Sequence, residues 1–209
     1  TLNITTERIA MELTQNFVDP DYAEVLEIFK NIKPDLKGSQ LVIKVKGKTV
    51  VDLAARVSPD SMTTVFSVSK ALSAISLAKL VGDGKLNLDE RMAHYWPEFA
   101  AHNKGELTVR QVLSHQAGLT ATDPHLTDEM VHDDHAASAA LAAQKPLWKP
   151  LSAFGYHGLT IGPLMSELVF RITGHTIQQY YEKEIRSAAN ADARSEERRV
   201  GKECLRLCR

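Results

Sequence analysis

The chain of 209 residues is poor in cysteine, in long apolar runs and in net charge, and each shortage removes a class of protein. Its two cysteines, Cys204 and Cys208, both lie near the C-terminus, so no disulfide framework and no cysteine-based metal site can be built through the rest of the chain. No run reaches the roughly 18 apolar residues that a membrane-crossing helix needs. The formal net charge is −1, and no basic cluster occurs in the first 193 residues, which leaves nucleic acid without an electrostatic footprint. Internal repeats, low-complexity tracts and interdomain linkers are also missing. With 44% apolar residues, the composition is that of one ordinary globular domain whose partner is a small molecule. The chain opens on Thr1 rather than Met, so a leader peptide cannot be read and the compartment is not fixed.

What is present begins with a helical period. Tyr22, Val25, Ile28, Phe29 and Ile32 recur at helix spacing over Pro20 to Ile32, with acidic residues toward the start, where they suit the helix dipole. In QLVIKVKGKTVVDLAARV, Ile43 and Val45 alternate with Lys44 and Lys46 up to Gly47, which predicts two antiparallel strands joined by a tight turn. Residues 71–81 are apolar almost all round and predict a helix packed on several sides, ended by Gly82 and Gly84. LNLDERMAHYWPEF reads as a loop closing on Pro97, and Thr108 as the cap of a short helix, VRQVLSH. An alanine-rich helix then ends at two prolines. Ile161, Leu164, Met165, Leu168, Val169 and Ile172 share one helix face with Gly174 as its stop, and Thr176 with Gln179 forms a capping box for the next helix. Two strands alone rarely make a stable sheet, so more strands are expected to follow beyond the end of this sequence.

The last stretch breaks with this pattern. A CxxxC pair without further cysteines or histidines is weak as a zinc site, and a short basic terminus usually lies in water. RSEERRVGKEC, residues 194–204, resembles the translation of a sequencing adapter. The natural sequence is therefore expected to end near Ala193, with 194–209 an artefactual tail. Without the tail the chain carries 19 Lys+Arg against 23 Asp+Glu and no cysteine.

The chemistry gathers in TTVFSVSKALSAISLAKLVGDG, residues 63–84, where a β-branched run gives way to a helical pattern with Ser67 and Lys70 at the changeover. A seryl hydroxyl is a weak nucleophile until a base removes its proton, and on a helix a lysine three residues on can reach the oxygen. The bland alternative is a capping serine and a solvated lysine. SxxK alone does not decide between them, because Ser76 and Lys79 repeat it in mid-helix, where the backbone N–H groups are already used. Position at the helix start, close to its positive end, favours Ser67.

Four blocks then occur in order: TTVFSVSKALSAISLAKLVGDGKLNLD, WPEF, LTVRQVLSHQAGL and FGYHGLTIGPLMSELVFRITG. Together they resemble the β-lactamase-related serine hydrolases, the group of class C β-lactamases, DD-peptidases and esterase relatives. The resemblance covers roughly residues 15–193. It implies an α+β fold of the β-lactamase/penicillin-binding-protein type, an antiparallel sheet with a helical subdomain, incomplete here because the C-terminal strands are missing. It implies Ser67 as acylated nucleophile, Lys70 as its base and Tyr156, at the head of YHG, as the proton-relaying tyrosine of the second motif. Gly158 stands where the family carries Asn or Ser, which favours the esterase-like branch. Trp148 could line the acyl pocket or be a core aromatic. His115 lies in a family turn beside the site and reads as structural, and Leu151 holds a turn position where relatives often have Gly.

The expected reaction is hydrolysis of a small-molecule ester or related acyl bond through a Ser67 acyl-enzyme, with no cofactor and no nucleic-acid partner; the oligomeric state is open. Competing readings are a β-lactamase or DD-peptidase and a catalytically silent binding homologue. His125, His132 and His135 with Asp123, Asp128, Asp133 and Asp134 are metal-ligand types, read here as a solvated lid rather than a metal site.

Overall fold

A computed structural model describes residues 12–31, 38–122, 127, 133–191, 193–194 and 206–207. The chain divides into two compact units whose boundary falls between Thr63 and Thr64.

The first unit contains β1 (Leu13–Val18), a 3-10 turn (Pro20–Tyr22), α1 (Ala23–Asn31), β2 (Ser39–Val45) and β3 (Lys48–Ala55). The hairpin expected from the alternation forms, and both turn residues are left-handed: Lys46 at φ 50° and Gly47 at φ 81°, the conformation of a two-residue turn that matches strand twist. The sheet has three strands rather than two. β3 is central, antiparallel to β1 on one side and β2 on the other. β1 escaped the sequence reading because Gln15 interrupts the apolar alternation of LTQNFV and a register shift falls between Leu13 and Gln15. Val51, Leu53 and Ala55 share one pleat face of β3 and form a buried cluster with Phe29 of α1, joined by Tyr22, Val25 and Leu26.

The second unit runs from β4 (Thr63–Thr64) through a 3-10 turn (Phe66–Val68) into α2 (Ser69–Gly82), α3 (Met92–Tyr95), a second 3-10 segment (Pro97–Asn103) and α4 (Val109–Leu113). It continues with α5 (Asp134–Ala143), α6 (Ile161–Thr173), α7 (Ile177–Tyr181) and α8 (Ser187–Ala189). Two short strands follow, β5 (Ala193–Arg194) and β6 (Arg206–Leu207), paired antiparallel. Residues 195–205 and Cys208 lie outside the described residues, as do Asp123, His125, Asp128 and His132.

The expected caps are present. Thr108 with Gln111 and Thr176 with Gln179 both close capping boxes, and Gly174 ends α6 at φ 72°. LNLDERMAHYWPEF is more than a loop: it contains α3 and the start of a 3-10 segment, and it buries Met92, Trp96 and Phe99 in the core of this unit. α2 buries Leu72, Ser76, Leu77 and Leu80, a single face, whereas Ala71, Ala74, Ile75, Ala78 and Val81 are exposed. The expectation of a helix packed on several sides is therefore met on one side only.

Two buried charges tie the helices together. Glu167 of α6 receives Arg171 Nε at 2.7 Å and the Ser138 hydroxyl at 3.2 Å, and meets His135 Nδ1 at 2.7 Å, so α5 is fastened to α6. Lys104, fully buried, donates to the carbonyls of Ala101 at 2.7 Å, Ala142 at 2.9 Å and Gln144 at 2.6 Å, closing the C-terminal end of α5 from across the core.

Candidate active site

The strand-to-helix changeover puts Ser67 in the middle of the 3-10 turn, two residues before the first residue of α2. Phe66, immediately before it, sits at φ 45°. A bulky side chain in the left-handed region is strained, and strain of this kind gathers at functional turns. Lys70, in the first turn of α2, places its ammonium 3.3 Å from Ser67 Oγ, to which it donates. The third group comes from 89 residues further along the chain: Tyr156 donates its hydroxyl to the same oxygen at 2.8 Å. Lys70 Nζ also lies 5.3 Å from the centroid of the Tyr156 ring.

This arrangement pulls the Tyr156 phenol below its ordinary pKa, first through its hydrogen bond with Ser67 and then through the hydrogen bond and positive charge of Lys70. The second SxxK pair is not assembled. Ser76 is buried and donates to the Leu72 carbonyl at 3.2 Å, while Lys79 pairs with Asp83 at 2.9 Å.

Tyr156 is held from behind. The segment carrying it lies against the turn after α4, where Gly155 N–H donates to the His115 carbonyl at 3.1 Å and His157 N–H to His115 Nδ1 at 3.1 Å. The His115 and Tyr156 rings meet edge to face, 5.2 Å between centroids. His115 has φ 63°, so the left-handed residue that follows α4 turns its ring toward the tyrosine. Leu151, where glycine was the expected residue, is also left-handed at φ 68°, and its N–H reaches the Gln116 carbonyl at 3.0 Å.

Trp148 packs behind this segment. A Cβ on Gly155 would stand 2.2 Å from the Trp148 ring, so only glycine admits the tryptophan there. The Trp148 and His157 rings are 6.4 Å apart, and the indole N–H has no hydrogen-bond partner among the described residues. Trp148 also lines a cleft of about 630 Å³ with His102, Leu107, Pro146 and Leu151. A Cβ on Gly158 would lie 3.4 Å from the Tyr156 ring, so glycine leaves the space beside the phenol open.

Sequence reasoning missed Gly155 and His157 and took His115 as a structural residue only. For His157 the signal was available: it is the one polar residue between Tyr156 and Gly158 in a segment that had already been singled out. Among the described residues no group of three or more His, Cys, Asp or Glu is placed to hold a metal ion. Asp133 instead caps α5, and no described helix is long and apolar enough to cross a membrane.

A mixed fold with a small antiparallel sheet and a serine gripped by a lysine and a tyrosine defines a class, the β-lactamase and penicillin-binding-protein fold. Comparison with known proteins agrees. The family model for Beta-lactamase matches residues 17–192. The chain is 33% identical to Esterase/beta-lactamase LipL of Mycobacterium tuberculosis over 189 residues, covering 83% of this chain and 43% of that protein. The solved structure of EstA from Arthrobacter nitroguajacolicus Rue61a superposes with a TM-score of 0.79 at 41% identity, covering 88% of this chain and 50% of that one. A penicillin-binding protein homolog from Caulobacter crescentus gives a TM-score of 0.79 at 34% identity, covering 87% and 52%. The chain belongs to the Beta-lactamase family and has its α+β fold. It spans about half the length of the relatives it matches.

Proposed function

We propose that this chain carries the nucleophilic centre of a serine hydrolase that cleaves a small-molecule ester through a Ser67 acyl-enzyme. One observation supports this above the others: the Ser67 oxygen is contacted by two proton-exchanging side chains, Lys70 and Tyr156, that are far apart in sequence. A serine used only as a cap has no need of either. In the proposed reaction Ser67 Oγ attacks the ester carbonyl carbon as Lys70, in its neutral form, takes the hydroxyl proton. The C–O bond to the leaving alcohol then breaks, and Tyr156 supplies the proton that alcohol takes up. Water repeats the sequence in reverse on the acyl-enzyme, releasing the acid and the serine. The depressed phenol of Tyr156 supports a share in proton transfer, because its phenolate forms more readily beside the Lys70 charge.

Gly158 supports an ester rather than a lactam or peptide, since no side-chain amide is available there to hold a substrate carbonyl. The likeness to a penicillin-binding protein homolog keeps lactam or peptide cleavage as the second reading. Trp148 is proposed as a wall behind the acyl group rather than a contact with the reacting atoms, given its packing against Gly155.

A fluorophosphonate probe applied to the full-length gene product tests the nucleophile. Labelling should vanish in Ser67→Ala and persist in Ser76→Ala, whose hydroxyl is tied to Leu72. Labelling of the Ser67→Ala protein at the wild-type level would overturn the assignment, and a folded wild type that takes no label would point to a silent binding homologue. Turnover of a p-nitrophenyl ester without turnover of a chromogenic cephalosporin separates the two enzymatic readings.

A further inference from the structure

Behind Tyr156 lie two imidazoles that take no part in the proposed reaction. His157 is fully buried and both its ring nitrogens are engaged. Nε2 accepts the Leu119 N–H at 2.9 Å, and Nδ1 meets the Gly155 carbonyl at 2.6 Å. A carbonyl only accepts, so Nδ1 carries the proton and the ring is neutral. His115 is committed in the same way, its Nδ1 accepting the His157 N–H at 3.1 Å. Thr160 completes the tie by donating to the Leu119 carbonyl at 2.6 Å.

We propose that His157 is a positioning residue: its ring, locked between the Leu119 N–H and the Gly155 carbonyl, fixes the Gly155–His157 backbone and thereby holds the Tyr156 hydroxyl on Ser67. The inference rests on the hydrolase reading for its kinetic consequence but not for its structural one. Tyr156 itself is largely exposed, so the burial that fixes its position belongs to its neighbour. The neighbouring peptide groups, not the phenol, set where the hydroxyl points.

Both imidazoles hold this geometry only while unprotonated, since an added proton would make the accepting nitrogen a donor facing a backbone N–H. The groups that face the pair are Lys70 from α2, Tyr156 and the Trp148 ring, one cation and two aromatics. Burial lowers the pKa of His157 and, with Lys70 adding to it, that of His115, each from an ordinary 6.5. Acid below that value is thus the condition expected to unseat Tyr156.

Three variants separate the roles. Gln at 157 can present an acceptor to the Leu119 N–H, Asn can keep a donor to the Gly155 carbonyl only, and Phe fills the space with neither. On the chain itself, labelled with 13C at the tyrosine ζ carbon and assigned with Tyr156→Phe, the Tyr156 resonance should move in His157→Phe and return toward its wild-type position in His157→Gln. In the full-length gene product His157→Phe should cut kcat on the order of a hundredfold with KM little changed, the scale of a slightly misplaced reacting group. In a Tyr156→Phe background the same substitution should cost nothing more, because it acts through that hydroxyl. An unmoved Tyr156 resonance, or equal losses in both backgrounds, would overturn the proposal. If His157→Phe does not fold, His157→Asn, which gives up only the bond from the Leu119 N–H, should move the Tyr156 resonance in the same direction by less, and an unmoved resonance there would overturn the proposal. A wild type without ester turnover would remove the hydrolase reading, while the resonance would still decide whether His157 positions Tyr156.

Discussion

At the scale of single residues, the proposed reaction gives the Ser67 proton to Lys70, and the alternative base is Tyr156, the other side chain on that oxygen. Lys70 acts either as the base or as a fixed positive charge that keeps Tyr156 acidic, and both arrangements fit a 3.3 Å contact. Arginine separates them, because guanidinium retains charge but does not give up its proton near neutral pH. Lys70→Ala and Lys70→Arg should both lose ester turnover by about two orders of magnitude or more, the usual scale for a lost general base. Steady-state kinetics on the full-length gene product checks this, and near-wild-type activity with arginine would transfer the role of base to Tyr156. Tyr156→Phe should produce a loss of the same order. The meeting of Ser67, Lys70 and Tyr156 was legible only in part from spacing: SVSK puts Ser67 and Lys70 one turn apart, whereas Tyr156 stood out through the family resemblance of YHG. What holds the trio in place was not legible. The partners of His157 are Leu119 N–H and Gly155 C=O, backbone groups that carry no signature in the identity of their residues.

At the scale of elements, helix ends announced themselves in sequence while partners across the core did not. The Thr108 and Thr176 capping boxes involve residues three apart, so each is visible in a short window. The closure of α5 by Lys104 spans 40 residues to Gln144 and cannot be seen that way. Its consequences can be measured. Lys104→Met keeps most of the volume but withdraws the ammonium from three carbonyls, of which Ala101 keeps the backbone N–H of residue 104 at 3.3 Å, a loss of about 2–3 kcal/mol if the carbonyls of Ala142 and Gln144 stay dry. Urea unfolding of the chain should report it. Burial brings the Lys104 pKa down to about 8 from an ordinary 10.5. Between those two values the unfolded chain therefore binds more protons than the folded one, and stability due to this group rises with pH across that window. Lys104→Met should remove the rise, and an unchanged slope would assign it to another group. β1 shows the converse difficulty. An edge strand with a polar residue on its inner side does not alternate cleanly, so it becomes visible only when β3 lies beside it.

At the scale of the whole molecule, the apolar surface is unevenly distributed. Ala71, Ala74, Ile75 and Ala78 run along α2 at three- and four-residue spacing and face outward. Beside Ser67 and Tyr156 in sequence, Phe66, Val68, Phe154 and Leu159 are exposed as well, Leu159 at 89%. Scattered exposed leucines are ordinary, but apolar residues collected on one helix face form a surface on which a further layer of polypeptide could pack, and that can be tested. LipL and EstA are each about twice as long as this chain. A polypeptide carrying this sequence together with a further segment of that size should bind less of a hydrophobic dye such as anilinonaphthalene sulfonate than the chain of 209 residues does. It should also sediment as fewer associated species. Replacing Ile75 with Glu in the shorter chain should reduce association with little cost in stability, since about half of that residue already faces water. In the longer polypeptide the same charge would be buried and should destabilise it by several kcal/mol, as an unpaired buried carboxylate does. Equal tolerance of Ile75→Glu in both lengths, measured by urea unfolding, would show that no further layer rests on α2.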